Sequence, residues 1–312
     1  MKSFAFVFPG QGSQAVGMLE PWADAPAVRE TLAEASEALS EDIARLMAEG
    51  PKEELDLTTN TQPVMLTAGV ACFRAWTAET GLVPSVLAGH SLGEYSALVA
   101  AGSLAFADAV RLVRFRADAM QRAVAVGSGA MAAILGLEAE VVSSVCVEVA
   151  CEFGAVVEAV NFNDPRQTVI AGTRLGVEKA CETLKARGAK RALPLPVSAP
   201  FHSSLMRPAA DSLKARLDST AFWAPRIPVV NNIDVAVVES PAAVRDALYR
   251  QAFGPVRWVE TIQAIRGRGV EVVLECGPGK VLAGMVKRID PALASGAVYD
   301  PVTLSQAKAL LS

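Results

Sequence analysis

Histidine is scarce in this chain, with two among 312 residues. Any imidazole chemistry must therefore rest on His90 or His202. Five cysteines (Cys72, Cys146, Cys151, Cys181, Cys276) are scattered, with no C-x-x-C pair. They read as reduced, mostly buried small side chains of a cytosolic protein. No apolar run approaches the ~20 residues of a membrane helix. The apolar run after Met1-Lys2-Ser3 stops at Pro9-Gly10, too short for a signal-peptide core. A soluble, cytoplasmic protein with no membrane partner is expected. Positive charge is not in excess either: 29 Lys and Arg stand against 33 Asp and Glu, a net charge of −4. Counterion release on nucleic acid needs clustered Lys and Arg, so no nucleic-acid partner is expected. Internal repeats, low-complexity tracts, metal-ligand spacings and redox-cofactor motifs are all missing, so no cofactor is expected.

What is present is an ordinary globular balance, 52% hydrophobic and 20% charged. At this length roughly three quarters of the extended-chain surface can be buried, so no disulfide or metal staple is needed. Strand patterns fall at 4–8 and 85–88, with helical patterns at 27–39, 41–49, 61–79 and 106–124. Ser103 fits as N-cap of the last of these. From residue 128 the rhythm becomes βαββαβ, a ferredoxin-like order. After Pro200, helices (205–217, 242–252, 256–266) and strands (228–230, 271–274) alternate again, and Gly277-Pro278-Gly279 opens a last helix to about Arg288. The expected fold is α/β, a mostly parallel sheet flanked by helices in a hydrolase-like core, with an inserted ferredoxin-like α+β subdomain. Residues 1–127 and 198–312 would form the large subdomain, and residues 128–197 the small one.

The sharpest chemical signal is Gly89-His90-Ser91-Leu92-Gly93, a Gly-x-Ser-x-Gly between strand and helix. Small residues on both sides of the serine let the two backbones cross, and the turn presents the hydroxyl at a helix N-terminus. The same residues also fit a Ser-x-x-Glu capping box, in which Ser91 would only cap a helix. A serine nucleophile needs a base. His90 is its immediate neighbour, and successive side chains leaving a strand diverge, so His90 supports the turn and His202 is the candidate base. Gly10-Gln11-Gly12-Ser13-Gln14-Ala15 follows the first strand. It fits a dinucleotide loop superficially, but no acidic strand end follows it. The other reading is a glycine loop beside the serine, donating a backbone N–H to an oxyanion hole. Arg116 shares a helix face with Ala109, Leu112, Val113 and Met120, whereas Arg111, Arg114 and Arg122 lie on the other side. An inward arginine must be paired, either in a structural ion pair or as a fork for a substrate carboxylate.

Phe8-Pro9-Gly10-Gln11-Gly12-Ser13-Gln14, Gly89-His90-Ser91-Leu92-Gly93-Glu94-Tyr95, Arg116, Ala199-Pro200-Phe201-His202 and Glu275-Cys276-Gly277-Pro278-Gly279 occur in that order. Together they resemble the bacterial malonyl-CoA:acyl carrier protein transacylases over essentially the whole chain. The resemblance implies that Ser91 is acylated and that His202 is its base. It implies that the backbone N–H groups of Gln11 and Leu92 form the oxyanion hole. Arg116 would hold the malonyl carboxylate, and the main-chain carbonyl of Gln251 would orient the imidazole. The site would then be a Ser–His dyad. Phe201 resembles the residue of malonyl-selective rather than methylmalonyl-selective members, and Ala117 stands where Gly usually follows the arginine.

The expected reaction is ping-pong transfer of malonyl from malonyl-CoA to the phosphopantetheine thiol of acyl carrier protein, supplying fatty acid synthesis, by a monomer. Carrier proteins are acidic, so a basic patch is expected among Lys185, Arg187, Lys190 and Arg191, and Lys280, Lys287 and Arg288. A serine hydrolase, a polyketide acyltransferase and a non-catalytic carrier-protein binding module remain as alternatives.

Overall fold

The computed structural model describes residues 1–125, 127–197 and 199–312. The expected boundary at residue 198 therefore lies outside the described residues. Nine strands are described: β1 (Phe4–Phe8), β2 (Val86–Gly89), β3 (Gly129–Leu135), β4 (Val157–Asp164), β5 (Gln167–Thr173), β6 (Arg191–Pro194), β7 (Val229–Val230), β8 (Val272–Cys276) and β9 (Ala294–Val298). They form two sheets. One has five strands in the order β7-β2-β1-β8-β9, every neighbouring pair parallel. The other has four antiparallel strands in the order β4-β5-β3-β6, the ferredoxin-like arrangement expected for that stretch.

β1 explains why the larger sheet is sandwiched between helices. Its sequence alternates large and small apolar residues, and all five are buried. Phe4, Phe6 and Phe8 pack on one face against Phe73 and Trp76 of the helix Thr58–Thr80. Ala5 and Val7 lie on the other face with Val256, Trp258, Ile262 and Val273. A strand buried on both sides is the signature of a central parallel strand, and its loops gather at the carboxyl edge.

Three features depart from expectation. Ser103 does not cap the helix Phe106–Arg122; its hydroxyl donates to the Trp223 carbonyl at 2.7 Å, and Ala105 precedes the helix without a side-chain cap. The helix Val281–Ile289 is not the last element. β9 and the helix Pro301–Leu310 follow it. β9 reads ASGAV and buries only Val298, so an edge strand of small residues carries no hydrophobic alternation to find.

The two sheets meet beside the strand–helix turn at Ser91. β4 pairs with the segment at Val256, whose N–H donates to Val160 O at 2.8 Å while Phe162 N–H donates to Val256 O at 3.0 Å. Arg288 adds an ion pair to Asp164 at the end of β4, at 2.7 Å.

At the turn itself, backbones touch. A Cβ at Gly93 would lie 2.0 Å from the Phe8 carbonyl oxygen, and one at Gly89 would lie 1.9 Å from the Gly93 carbonyl carbon. Both obstacles are main chain, with no flexible tip to move aside. Gly93→Ala should destabilise the protein by about 2–3 kcal/mol or more. Urea unfolding would show it as a lowered midpoint; an unchanged midpoint would contradict the crowding.

Candidate active site

Ser91 sits in the left-handed region at φ 53°, at the crossing from β2 into the helix Gly93–Ala100. Asn232 holds this turn from the side. It lies two residues beyond β7, whose Val230 is in register with Ala88. Its Oδ1 accepts from Ser91 N–H at 2.8 Å, and its Nδ2 donates to the Gly89 carbonyl at 2.7 Å. The capping-box alternative fails: the helix has no side-chain cap, and the Glu94 carboxylate accepts instead from Asn232 N–H and Gln251 Nε2, both at 2.9 Å.

His202 comes from the connection after β6 and is also left-handed, at φ 66°. Its Nε2 lies 2.6 Å from Ser91 Oγ. Its Nδ1 faces the carbonyls of Gln251 at 2.9 Å and Gly254 at 3.1 Å. Carbonyls only accept, so Nδ1 carries the proton and Nε2 presents its lone pair to the serine hydroxyl. Burial, followed by the nearby Arg116 charge, pushes the His202 pKa down to about 3. The imidazole is neutral and unprotonated at Nε2 at ordinary pH.

His90 points elsewhere. Its Nε2 meets Asn163 Oδ1 of β4 at 2.8 Å, and its ring stands edge-on to Trp258. It buttresses the turn from the antiparallel sheet, and burial lowers its pKa as well.

Arg116 is 3% exposed and reaches the same crevice. Its Nη2 lies 3.5 Å from Ser91 Oγ. Among the described residues it makes no ion pair. Nη1 donates to Gln62 Oε1 at 2.8 Å and Nη2 to Gln251 Oε1 at 3.3 Å, while Nε has no partner. The Tyr95 ring lies under the guanidinium at 5.6 Å. Burial depresses the Arg116 pKa, but from so high a value that the group stays charged. Burial also pushes Glu94 up to about 7, against hydrogen bonds from Gln251 and Asn232 that favour its ionised form.

Ser91, His202, Arg116, Gln11, Leu92 and Phe201 all line one cavity of about 130 Å³, closed on the other side by Met131, Val169 and Leu195 of the antiparallel-sheet region. Gln251 lies behind it, wholly buried. All seven residues singled out from the sequence thus converge. Gly10 allows the Gln11 loop to approach, since a Cβ there would lie 2.7 Å from the His90 carbonyl oxygen.

Residues 5–295 match the acyl transferase domain family. The malonyl CoA-acyl carrier protein transacylase of Salmonella typhimurium is 54% identical over 308 residues, 98% of this chain and 99% of its own. The chain belongs to the malonyl CoA-acyl carrier protein transacylase family. A solved acyl-carrier-protein S-malonyltransferase from Burkholderia pseudomallei is 64% identical and superposes with a TM-score of 0.96, covering 98% of this chain and 99% of that one. A malonyl-transacylase solved in complex with its type II PKS acyl-carrier protein is 52% identical, with a TM-score of 0.96 and 98% of each chain covered.

Within this transacylase-family site, sequence reasoning missed Gln62, Asn232 and Asn163. Each is a neutral amide whose importance lies in its partner, and nothing in its local pattern announces that partner. Glu94 was visible only as the partner of Ser91 in the capping-box alternative and as part of the motif around that serine.

Burial lowers the pKa of both histidines, and His202, pushed down to about 3, should remain neutral at pH 5.5. The unfolded chain takes up the His202 proton from about pH 6.5 downward and the native chain does not until far lower pH. The contribution of His202 to stability is complete above pH 6.5 and drains away as pH falls. Nitrogen-15 NMR of the two imidazoles would test it; a titration of His202 near 6.5 would contradict the buried, Arg116-shadowed environment.

Proposed function

We propose that the protein moves a malonyl group from malonyl-CoA to the phosphopantetheine thiol of acyl carrier protein through a malonyl-Ser91 intermediate, supplying fatty acid synthesis. The observation that carries this reading is the 2.6 Å approach of His202 Nε2 to Ser91 Oγ with the Arg116 fork at 3.5 Å from the same oxygen.

His202 Nε2 takes the hydroxyl proton as Ser91 Oγ bonds to the thioester carbon. The negative charge on the former carbonyl oxygen is received by the backbone N–H groups of Gln11 and Leu92, each such donor contributing about 3 kcal/mol. Collapse breaks the carbon–sulfur bond, and the imidazolium returns its proton to the CoA sulfur. The carrier-protein thiol then attacks malonyl-Ser91 by the same steps, with His202 taking the thiol proton and returning it to Ser91 Oγ. Gln251 keeps the imidazole in its working tautomer through its carbonyl. Phe201 narrows the cavity, whose volume suits a short acyl group. Arg116 receives the malonyl carboxylate. An acetyl group would leave that buried charge without its partner.

The reading draws only on side chains and backbone, and we propose no cofactor. It assigns residues 1–127 and 198–312 to the catalytic body and 128–197 to a lid over the cavity. Every strand of the parallel sheet lies in the first set and every antiparallel strand in the second, which supports the division. One chain supplies the whole site, which favours action as a monomer. No helix among the described residues is long and apolar enough to cross a membrane, and the cysteines are free. Both fit the cytoplasmic location we assign.

Incubation with malonyl-CoA alone should add one malonyl group to Ser91 by intact mass, and carrier protein should then remove it. No adduct would favour a binding module, and loss to water a hydrolase. Arg116→Ala should lower malonyl transfer and raise the relative use of acetyl-CoA. Unchanged selectivity would defeat the assigned fork.

Carrier-protein docking falls to the exposed basic residues at the rim of the antiparallel-sheet region and the helix Val281–Ile289. Arg187 and Arg288 are already paired, with Glu148 and Asp164. Lys185, Lys190, Arg191, Lys280 and Lys287 are exposed, with no ion pair among the described residues. Lys190→Glu combined with Lys280→Glu should raise the KM for carrier protein and leave Ser91 acylation by malonyl-CoA intact. A salt-independent, unaltered KM would remove this surface.

A further inference from the structure

The way Arg116 is held has a consequence for acyl selection. Several other arginines of this chain find carboxylates, among them Arg74 with Glu34, Arg114 with Glu41 and Arg250 with Asp234. The buried Arg116 does not. Its nearest fixed acceptor is Gln62 Oε1 at 2.8 Å. Gln62 is 2% exposed, on the helix Thr58–Thr80, and lines the cavity. Its Nε2 faces only the Met120 sulfur at 3.9 Å, a weak acceptor, so the guanidinium sets which way the amide points. Glu94 is kept one amide away, behind Gln251.

We propose that Gln62 is a specificity-determining residue: by holding Arg116 with an uncharged oxygen, it fixes the fork and leaves the positive charge for the acyl carboxylate. The proposal rests on the reading that Arg116 receives that carboxylate. A carboxylate in the place of the Gln62 amide would fit the same space and accept the same hydrogen bond. It would also cancel the guanidinium charge and repel an incoming carboxylate. An uncharged acyl group would then no longer leave a lone buried cation. The choice between malonyl and acetyl thus turns on one terminal atom of residue 62, nitrogen or oxygen.

The test is the initial rate of Ser91 acylation from malonyl-CoA and from acetyl-CoA, followed by intact mass, in the full-length protein and its variants. Gln62→Glu should lower the malonyl-to-acetyl preference by roughly a hundredfold, with acetyl acylation rising as malonyl acylation falls. A merely structural role would lower both rates together. Gln62→Met removes the acceptor but keeps the charge. It should raise the KM for malonyl-CoA by about tenfold, more than kcat falls, while malonyl remains the preferred group. Arg116→Ala is run alongside. If it leaves the preference unchanged, the assignment of Arg116 fails. If it relaxes the preference while a folded Gln62→Glu protein keeps it, the inference about Gln62 fails alone. Should Gln62→Glu not fold, an unchanged malonyl-CoA KM in Gln62→Met overturns the proposal.

Discussion

Main-chain crowding at the turn between β2 and its following helix is the constraint from which the site is built. Gly93 lies against the end of β1, and Gly89 lies against Gly93, with no room for a Cβ at either position. This contact brings the loop after β1, carrying Gln11, alongside the turn that carries Ser91. Parallel pairing of β2 with β7 then delivers Asn232 to the opposite flank, where its amide spans Gly89 O and Ser91 N–H. A serine at positive φ is unfavourable by about 1–2 kcal/mol. Here it is held by backbone contact on one side and a doubly bonded amide on the other. Asn232 occupies the Ser91 N–H, so that group is already partnered, and Gln11 and Leu92 are among the residues that line the cavity beside it.

Most of the fold was legible because its signals are local. Alternating phenylalanines in β1, the glycine pair around Ser91 and the βαββαβ order each report on their own segment. β9 was not legible, since its five residues are small or polar and only one is buried. Ser103 looked like a cap because serine before a helix often is one. A carbonyl 120 positions away took its hydroxyl instead.

The site divides in the same way. Ser91, His202 and Arg116 stand out by residue type and position. Gln62 and Asn232 do not, because an amide in a buried helix or a loop has no pattern of its own. Their meaning lies in contacts separated by 54 and 141 residues. The signal that could have found Gln62 was the burden on Arg116: an inward cation needs acceptors. The sequence offers many of those but does not say which are near.

The electrostatics of the dyad lead to the last step. A carboxylate behind the imidazole would favour the imidazolium by its full charge, whereas the carbonyls of Gln251 and Gly254 orient the ring and favour the imidazolium only as dipoles. Burial and the Arg116 charge both work against protonation of His202. The dyad is therefore well aligned, with an imidazole whose environment disfavours protonation. On the proposed reading, a malonyl carboxylate arriving at Arg116 would offset the smaller of these two penalties, leaving burial in place, so the imidazole would gain some basicity when the acyl group to be transferred is bound. The substrate would then supply part of the negative charge that a third catalytic residue would otherwise provide. An acetyl group, lacking it, would meet both an unpaired guanidinium and a weaker base. Selection and activation would thus share one interaction, the pairing of Arg116, held by two neutral amides, with the acyl carboxylate.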